Sequence, residues 1–371
     1  MKQFNVKVYD KDAVFQKNIP TDILESRIKF TQQLNGGQGQ LQLSLNTPFD
    51  EVPSYIVPFN FIRIYKVDED DPTGLLIYTG WISRIEPYST GGKQGVNVVC
   101  LGLSSLLKLS LYKDGASFDV THTTVDPSAI IEAIITAFQG VYPPGSGFEW
   151  IGYGAVAGIR AGGNIDSVGQ NVTLELEKKT WLDGISETLK LADGGWYWFI
   201  DAGGDVFFQD KPASATHTLT IGKEIQSIKT PKAIEDITNS VTVKYDGGTV
   251  DASDATSITN YGTREEYIDE SAKLSDSGSA QQVADKAVAD GKDYMIEASI
   301  VVNNLYDIES IKPGDTLKVL NYKKGAEIVT ANMLIVSTSY NNGETLSLQL
   351  ESKKDIGSEL ENYVDQQIKS A

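Results

Sequence analysis

Two stretches of the chain repeat one order of alternating apolar strands and glycine-containing turns. The first has strand-like residues 61–66, a loop, residues 76–87, a Gly91-Gly92 turn, and residues 96–101. The second has residues 315–320, a loop, residues 333–340, a turn at 341–343, and residues 345–350. Apolar side chains at every second position are typical of strands with one buried face. The pattern predicts two β-modules of the same topology, although any two β-meanders can look alike at this level.

Two further segments extend the proposed repeat. Residues 40–45 and 240–245 each place three large apolar side chains on one face and polar side chains on the other. Each segment precedes the meander of its own module. We therefore expect residues 30–107 and 225–352 to superpose as two β-barrels with one strand order.

The middle of the chain has a different character, because helices replace most of the strands. Residues 127–138 and 180–191 are helix candidates, since Asp126 and Thr180 suit their N-caps and glycines follow their ends. An aromatic hairpin follows at residues 196–208, with a glycine pair in its short loop. A helix packed on such a hairpin predicts a compact α+β insertion between the two modules.

These elements predict a mainly β protein of several domains. We expect a first β-barrel in residues 1–112, an α+β lobe in 113–214, and a second barrel in 215–352 with a helical insert near 279–290. Residues 353–371 have the apolar spacing of a short C-terminal helix. The length of 371 residues fits two to four domains.

The formal net charge is −18, from 50 acidic and 32 basic residues. This charge argues against specific nucleic-acid binding, because proteins hold phosphates with clustered lysine and arginine. It is compatible with a channel wall past which DNA moves without sticking, since like charges repel. The acidic segments 68–71 and 246–254 are candidates for such a wall. The alternative is that the charge keeps the chain soluble and is spread evenly.

Membrane and disulfide signals are weak. The sequence has no apolar run long enough to span a bilayer, so we expect no stable membrane association. The first residues alternate like a strand and lack the apolar core of a signal peptide. Cys100 is the single cysteine and stands in an apolar strand, where it suits a small core residue. An internal disulfide framework is excluded.

Signals of catalysis are few. The two histidines, His122 and His217, stand in different segments, and the sequence has neither a zinc-binding motif nor a phosphate-binding loop. A nucleophile pair would have to join Cys100 to one of these distant histidines. We therefore predict no catalytic, cofactor-binding or metal-binding residue and no enzymatic activity. Two alternatives stay open. Paired carboxylates could serve a glycan hydrolase, and the aromatic residues 196–198 could form a sugar platform, although such clusters more often pack in a core.

Several segments, taken in order, resemble the tail hub or baseplate hub proteins of tailed phages. These segments are residues 180–189, 196–208, 237–245, 257–265 and 312–317. Residues 63–107 look like the first barrel of that family. Each motif is weak by itself, so the resemblance depends on the order of elements along nearly the whole chain.

This resemblance implies a structural virion protein with two tube-like β-barrels per chain. Three copies would form a pseudo-hexameric ring that closes the distal end of the tail tube at the tail tip or baseplate. The implied partners are the tail tube protein, distal tail or baseplate proteins, a tail spike or fibre, and the tape-measure protein. The chain would be made in the host cytoplasm, and DNA would pass its lumen. A tail-tip cell-wall hydrolase and a receptor- or glycan-binding tail module are the alternatives.

Overall fold

β-Strands form most of the structure, a computed structural model that describes residues 3–10, 14–67, 73–113, 117–141, 159–192, 195–229, 237–292, 296–321 and 333–352. The strands are β1 (Gln3–Tyr9), β2 (Phe15–Asn18), β3 (Leu24–Gln33), β4 (Gly37–Leu45), β5 (Phe61–Val67), β6 (Leu75–Thr90), β7 (Lys93–Gly102), β8 (Asp119–Val125), β9 (Arg160–Ile165), β10 (Val172–Glu177), β11 (Trp196–Ile200), β12 (Asp205–Asp210), β13 (His217–Ile221), β14 (Ile225–Lys229), β15 (Ser240–Tyr245), β16 (Gly248–Ser253), β17 (Glu265–Asp269), β18 (Ile296–Asn303), β19 (Thr316–Asn321), β20 (Met333–Asn341) and β21 (Thr345–Ser352). The helices are α1 (Pro127–Val141), α2 (Trp181–Leu189), α3 (Ala255–Tyr261) and α4 (Ser277–Gly291).

One 13-stranded sheet contains two modules of the same strand order. The first module has the order β1-β5-β6-β7-β4-β3, with β2 outside β1. The second has the order β13-β19-β20-β21-β18-β14. Strands at corresponding positions also follow one another in the same order along the chain. The predicted mainly β fold with two modules of one strand order is therefore confirmed.

The two modules differ in how they close. The second closes into a six-stranded barrel, because β13 pairs with β14 and β19 pairs with β20. In the first, β3 pairs with β20 of the second module. Strand direction differs as well, since β1 runs antiparallel to β5 whereas β13 runs parallel to β19. The two modules are thus joined edge to edge in one sheet.

The expectation that residues 240–245 belong to the second barrel is wrong. These residues form β15, which lies in a separate three-stranded sheet of order β16-β15-β17. The position in the second module that corresponds to β4 is taken by β18. Val241 and Val243 are buried, but they pack in a different core from that of the barrel. Alternation shows that a strand has one buried face, and it does not show which core that face meets.

The structure has two large apolar cores, and their boundary differs from the expected domain boundaries. The barrel core is continuous across both modules and contains side chains from β4, β5, β20 and β21 alike. The second core combines the lobe residues Phe138, Trp181 and Trp198 with Val241 and Val283. Residues 237–292 therefore pack with the lobe, and the insert in the second module is larger than the helix expected near 279–290.

The predicted helices and hairpin of the lobe are present. Thr180 caps α2 as expected, since its side chain accepts a hydrogen bond from the Asp183 N–H at 3.1 Å and the Asp183 carboxylate accepts one from the Thr180 N–H. Strands β11 and β12 pair in the expected hairpin register. The C-terminal helix expected at 353–371 lies outside the described residues, as does the acidic segment 68–71.

Candidate assembly surfaces

The seam between the modules is a pairing of β3 with β20. The pairing runs from Ser337 opposite Gln33 to Asn341 opposite Lys29. The first half of β20 pairs instead with β19, so this strand changes neighbour part-way along. At the seam the rings of Phe30 and Tyr340 stack with their centres 4.8 Å apart. The seam is therefore both hydrogen-bonded and apolar.

A buried ion cluster reinforces the seam. Lys66 Nζ on β5 lies 2.9 Å from Glu309 Oε2 and 3.2 Å from Asp307 Oδ1, both of the second module. The Glu309 side chain is fully buried and also accepts a hydrogen bond of 2.8 Å from the Tyr340 hydroxyl. Burial alone would lower the pKa of Lys66, but the two carboxylates outweigh it and raise that pKa. The charged pair thus fixes one module against the other.

The lobe hairpin docks on both modules. The backbone N–H of Asn35 donates to the Trp198 carbonyl at 2.9 Å, and the Trp198 N–H donates to the Asn35 side chain at 3.1 Å. On the other side, Gly314 lies so close to Tyr197 that a Cβ there would be 2.5 Å from the ring. Burial, with Asp315 nearby, raises the pKa of Tyr197 to about 12. The hairpin is therefore held on both sides.

A network of four charges joins the lobe to residues 270–273. The Glu187 carboxylate lies 3.0 Å from the ammonium groups of both Lys190 and Lys273, and both lysines also contact Glu270. Burial would raise the pKa of Glu187, but hydrogen bonds from Lys273 and Lys190 outweigh it and lower that pKa. The network strengthens the packing of the lobe against the insert.

The residues considered for catalysis are not brought together. His122 lies 3.3 Å from the Tyr112 hydroxyl in the lobe, whereas His217 is in the second module. Cys100 is fully buried in the barrel core, and burial raises the pKa of its thiol. Among the described residues, no three His, Cys, Asp or Glu side chains are grouped so that they could hold a metal ion.

Sequence reasoning missed a contact made by His217. Its Nδ1 lies 3.0 Å from the Tyr306 hydroxyl, and its Nε2 lies 2.9 Å from Asp315 Oδ2. The same carboxylate oxygen accepts the Lys312 N–H at 2.9 Å. The imidazole is largely buried, and these partners hold β13 to the turn before β19. No sequence signal links residues 98 positions apart.

A pair of aspartates in the β11–β12 turn has opposite pKa shifts. Burial raises the pKa of Asp201, and hydrogen bonding to Arg160 lowers that of Asp205. Such a split can mark a general acid and its partner. Here, however, Asp201 Oδ1 accepts the Asp205 N–H at 2.9 Å, which is the local bond of a tight turn. The two aspartates are therefore close together because they close the turn of the hairpin.

The aromatic residues 196–198 do not form an open platform. Trp198 is fully buried and Tyr197 is 7% exposed. Trp196 is half-buried and packs on Phe208, with ring centres 5.0 Å apart. These rings form core and docking contacts of the hairpin rather than a surface for a sugar.

The acidic segment 246–254 forms the turn and the second strand of a β-hairpin. It turns at 246–247 and continues as β16. Asp246 and Asp251 are exposed, whereas Asp254 caps α3 and lies 3.0 Å from Lys292 Nζ. Asp246 and Asp251 are thus exposed on a hydrogen-bonded β-hairpin.

The open edge of the first module carries apolar side chains. Strand β2 pairs with β1 alone among the described strands. Phe15 on β2 is 50% exposed and Val14 beside it is 58% exposed. An open edge with exposed apolar groups is a surface where another chain can add.

Comparisons with known proteins identify the fold. No protein-family model matches the sequence, and no curated protein matches it significantly. The tail protein from Neisseria meningitidis MC58 is 12% identical, with a TM-score of 0.63 over 96% of this chain and 98% of that chain. The chain has the fold of phage tail proteins. The 43 kDa tail protein of prophage MuSo2 from Shewanella oneidensis is 13% identical, with a TM-score of 0.61 over 96% of this chain and 99% of that chain.

A third tail-protein structure agrees with these two. Prophage tail protein gp18 from Listeria monocytogenes EGD-e is 10% identical, with a TM-score of 0.55 over 97% of this chain and 98% of that chain. The tail-protein fold confirms, at the level of the fold, the resemblance found in the sequence. In the described residues, no helix combines the length and apolarity needed to cross a bilayer.

Proposed function

We propose that this protein is a structural subunit of a phage tail or phage-derived particle, and that three copies form a hub at the distal end of the tail tube. The observation that carries the proposal is the presence of two modules of one strand order, fixed to each other through β3 and β20. Three chains with two such modules present six similar positions around an axis. A threefold hub can therefore continue the symmetry of a sixfold tube.

The proposed partners follow from this position. One face of the ring meets the tail tube protein, and the other meets distal tail or baseplate proteins, a spike or fibre, and the tape-measure protein. The subunit is located in the virion at the tail tip or baseplate. The net charge of −18 supports a lumen that DNA passes without specific binding.

The proposed role is structural rather than enzymatic. Support comes from the separation of His122, His217 and Cys100 and from the local explanation of the Asp201–Asp205 pair. The alternative is a tail-tip hydrolase, which would need a pair of carboxylates, and Asp201 with Asp205 is the pair to test. Incubation with purified cell walls tests it: we expect no release of soluble sugar or peptide. Release that is lost in Asp201→Asn would favour the hydrolase.

Imaging of whole particles tests the hub. We expect three copies of the chain in one ring at the end of the tube, with both modules of each copy facing the tube. Native mass measurement of the purified chain is the first, simpler step. One copy, or six copies, at a ring position would contradict the proposal.

A further inference from the structure

Two cations face each other on the outer surface of the first module. In the pairing of β1 with β5, Lys7 lies directly opposite Arg63. Val8 and Ile62 on the same strands point into the barrel core, so the alternation places Lys7 and Arg63 on the other face. Like charges directly opposite each other destabilise a sheet. This pair therefore needs an explanation in a chain that has far more acids than bases.

No carboxylate neutralises these cations within the described part of the chain. Lys7 Nζ lies over the Tyr65 ring, 4.3 Å from its centre, and Arg63 lies over the Tyr9 ring at 5.7 Å. Arg63 Nη1 donates a long hydrogen bond of 3.3 Å to the Tyr65 hydroxyl, and the Arg63 side chain is also hydrogen-bonded to the Tyr9 hydroxyl. We call Lys7, Tyr9, Arg63 and Tyr65 the basic–aromatic cluster.

Arg63 is buried, and no carboxylate of the described residues pairs with its charge. The residue is 6% exposed, and its Nε has no hydrogen-bond partner. On the next strand Thr79 lies opposite Arg63, and its buried hydroxyl also has no partner. Buried arginines in folded proteins normally have an acid or several acceptors. Among the described residues Arg63 has no acid, and the half-buried Lys7 opposite it is the cation of the cluster that another molecule can reach.

We propose that the basic–aromatic cluster receives carboxylates from a second copy of this chain. The inference builds on the proposed ring of copies. Each copy has a net charge of −18, so copies repel one another over most of their surfaces. A cationic surface is where an acidic neighbour is attracted instead. Tyrosine and arginine are also the residue types that carry much of the binding energy at interfaces.

The surroundings of the cluster fit an interface. Tyr9 contacts Phe15 on the open edge strand β2, with ring centres 5.6 Å apart, and Phe15 is half exposed. An apolar rim therefore adjoins the charges. In the proposed ring of three copies, the cluster of one copy meets a different, acidic surface of its neighbour, which is a head-to-tail contact. Head-to-tail contacts generate closed rings, which agrees with a hub.

Methionine variants test the proposal on the purified full-length chain. Lys7→Met and Arg63→Met should each weaken self-association by roughly tenfold or more, measured by sedimentation at low salt. Arg63→Met should leave the melting temperature of the dissociated chain unchanged or raise it, because an unpaired buried charge is removed. The exposed residues Lys93 and Arg84 supply matched controls, and Lys93→Met and Arg84→Met should leave association unchanged.

Cross-linking identifies the acid. A carbodiimide joins a lysine amine to a carboxylate in contact with it. In a mixture of ¹⁵N-labelled and unlabelled copies, we expect Lys7 to be joined to an Asp or Glu of the other isotope. Association that is unaffected by Lys7→Met, without such a cross-link, would overturn the inference and leave the hub intact. A wild-type chain that stays monomeric at about 1 mM would also overturn it. The particle image decides the hub separately.

Discussion

At the scale of single residues, Glu187 makes stability depend on pH. Its pKa lies below the usual value of 4.5 in the folded chain, because Lys273 and Lys190 outweigh the effect of burial. A lowered pKa contributes stability that is present above the unfolded pKa and is lost as pH falls through the folded pKa. We expect acid to loosen the contact between lobe and insert first.

Glu187→Gln tests this expectation. The variant should lose about 1 kcal/mol of unfolding free energy at neutral pH, and its stability should change less than that of the wild type as pH falls below about 5. Denaturant titrations across that range measure both effects. The exposed Glu175 supplies the control, since Glu175→Gln should follow the wild-type curve. Parallel curves for wild type and Glu187→Gln would contradict the prediction.

At the scale of elements, the docking of the β11–β12 hairpin depends on Gly314. Gly314 has a φ of +93° and Gly222 has a φ of +81°, so both are in the left-handed region. A Cβ added at Gly314 would meet the Tyr197 ring, whereas a Cβ added at Gly222 would meet nothing within 4 Å. Gly314→Ala should therefore cost about 2 kcal/mol more than Gly222→Ala, since the backbone strain is common to both variants. Thermal unfolding of the two measures the difference. Equal losses would show that the hairpin is not held at this point.

Elements with strong local signals were predictable from the sequence. Thr180 with Asp183 marks the start of α2, and the glycine pair marks the β11–β12 turn, because caps and turns are formed by neighbouring residues. The three-stranded meander of each module, β5-β6-β7 and β19-β20-β21, was also predictable, since each of these strands has its own alternation. Strand β9 was not, because its glycine-rich sequence has no alternation and its pairing with β12 is long-range.

Contacts between elements were harder to predict. The alternation in β15 was identified correctly, but its buried valines meet α4 and the lobe rather than the barrel. The contact of His217 with Asp315 and the cross-strand pair of Lys7 and Arg63 depend on strand register. Register is fixed by the whole sheet, so no local pattern reveals which polar side chains meet.

At the scale of the whole molecule, the seam makes one unit of two modules. Lys66→Met should destabilise the chain by about 3 kcal/mol, because the buried Glu309 carboxylate loses its lysine. Replacing both residues, as Lys66→Met with Glu309→Gln, should recover most of that loss. Chemical denaturation of the three proteins gives the comparison. A double variant no more stable than Lys66→Met would show that the ion pair is not the cause.

The excess of acids leads to a prediction for the proposed ring. If the β15–β16 hairpin lines the lumen, Asp246 and Asp251 keep DNA from sticking, since lysines there would hold phosphates and release counterions. Particles that carry Asp246→Lys with Asp251→Lys should assemble normally but eject DNA more slowly, and added salt should reduce the delay. Ejection followed by dye fluorescence measures the rate.

The control for this experiment is a charge reversal on another surface. Glu344 is exposed in the turn between β20 and β21, and Asp50 is exposed after β4, so Glu344→Lys with Asp50→Lys makes the same change in charge away from the hairpin. A delay confined to the hairpin variant, and weakened by salt, places that hairpin at the DNA. Equal rates in both variants would instead favour the view that the acids only keep the chain soluble. Phosphate binding depends steeply on salt, whereas misassembly does not. Ejection rates measured at several salt concentrations therefore distinguish DNA binding to the lumen wall from a defect in particle assembly.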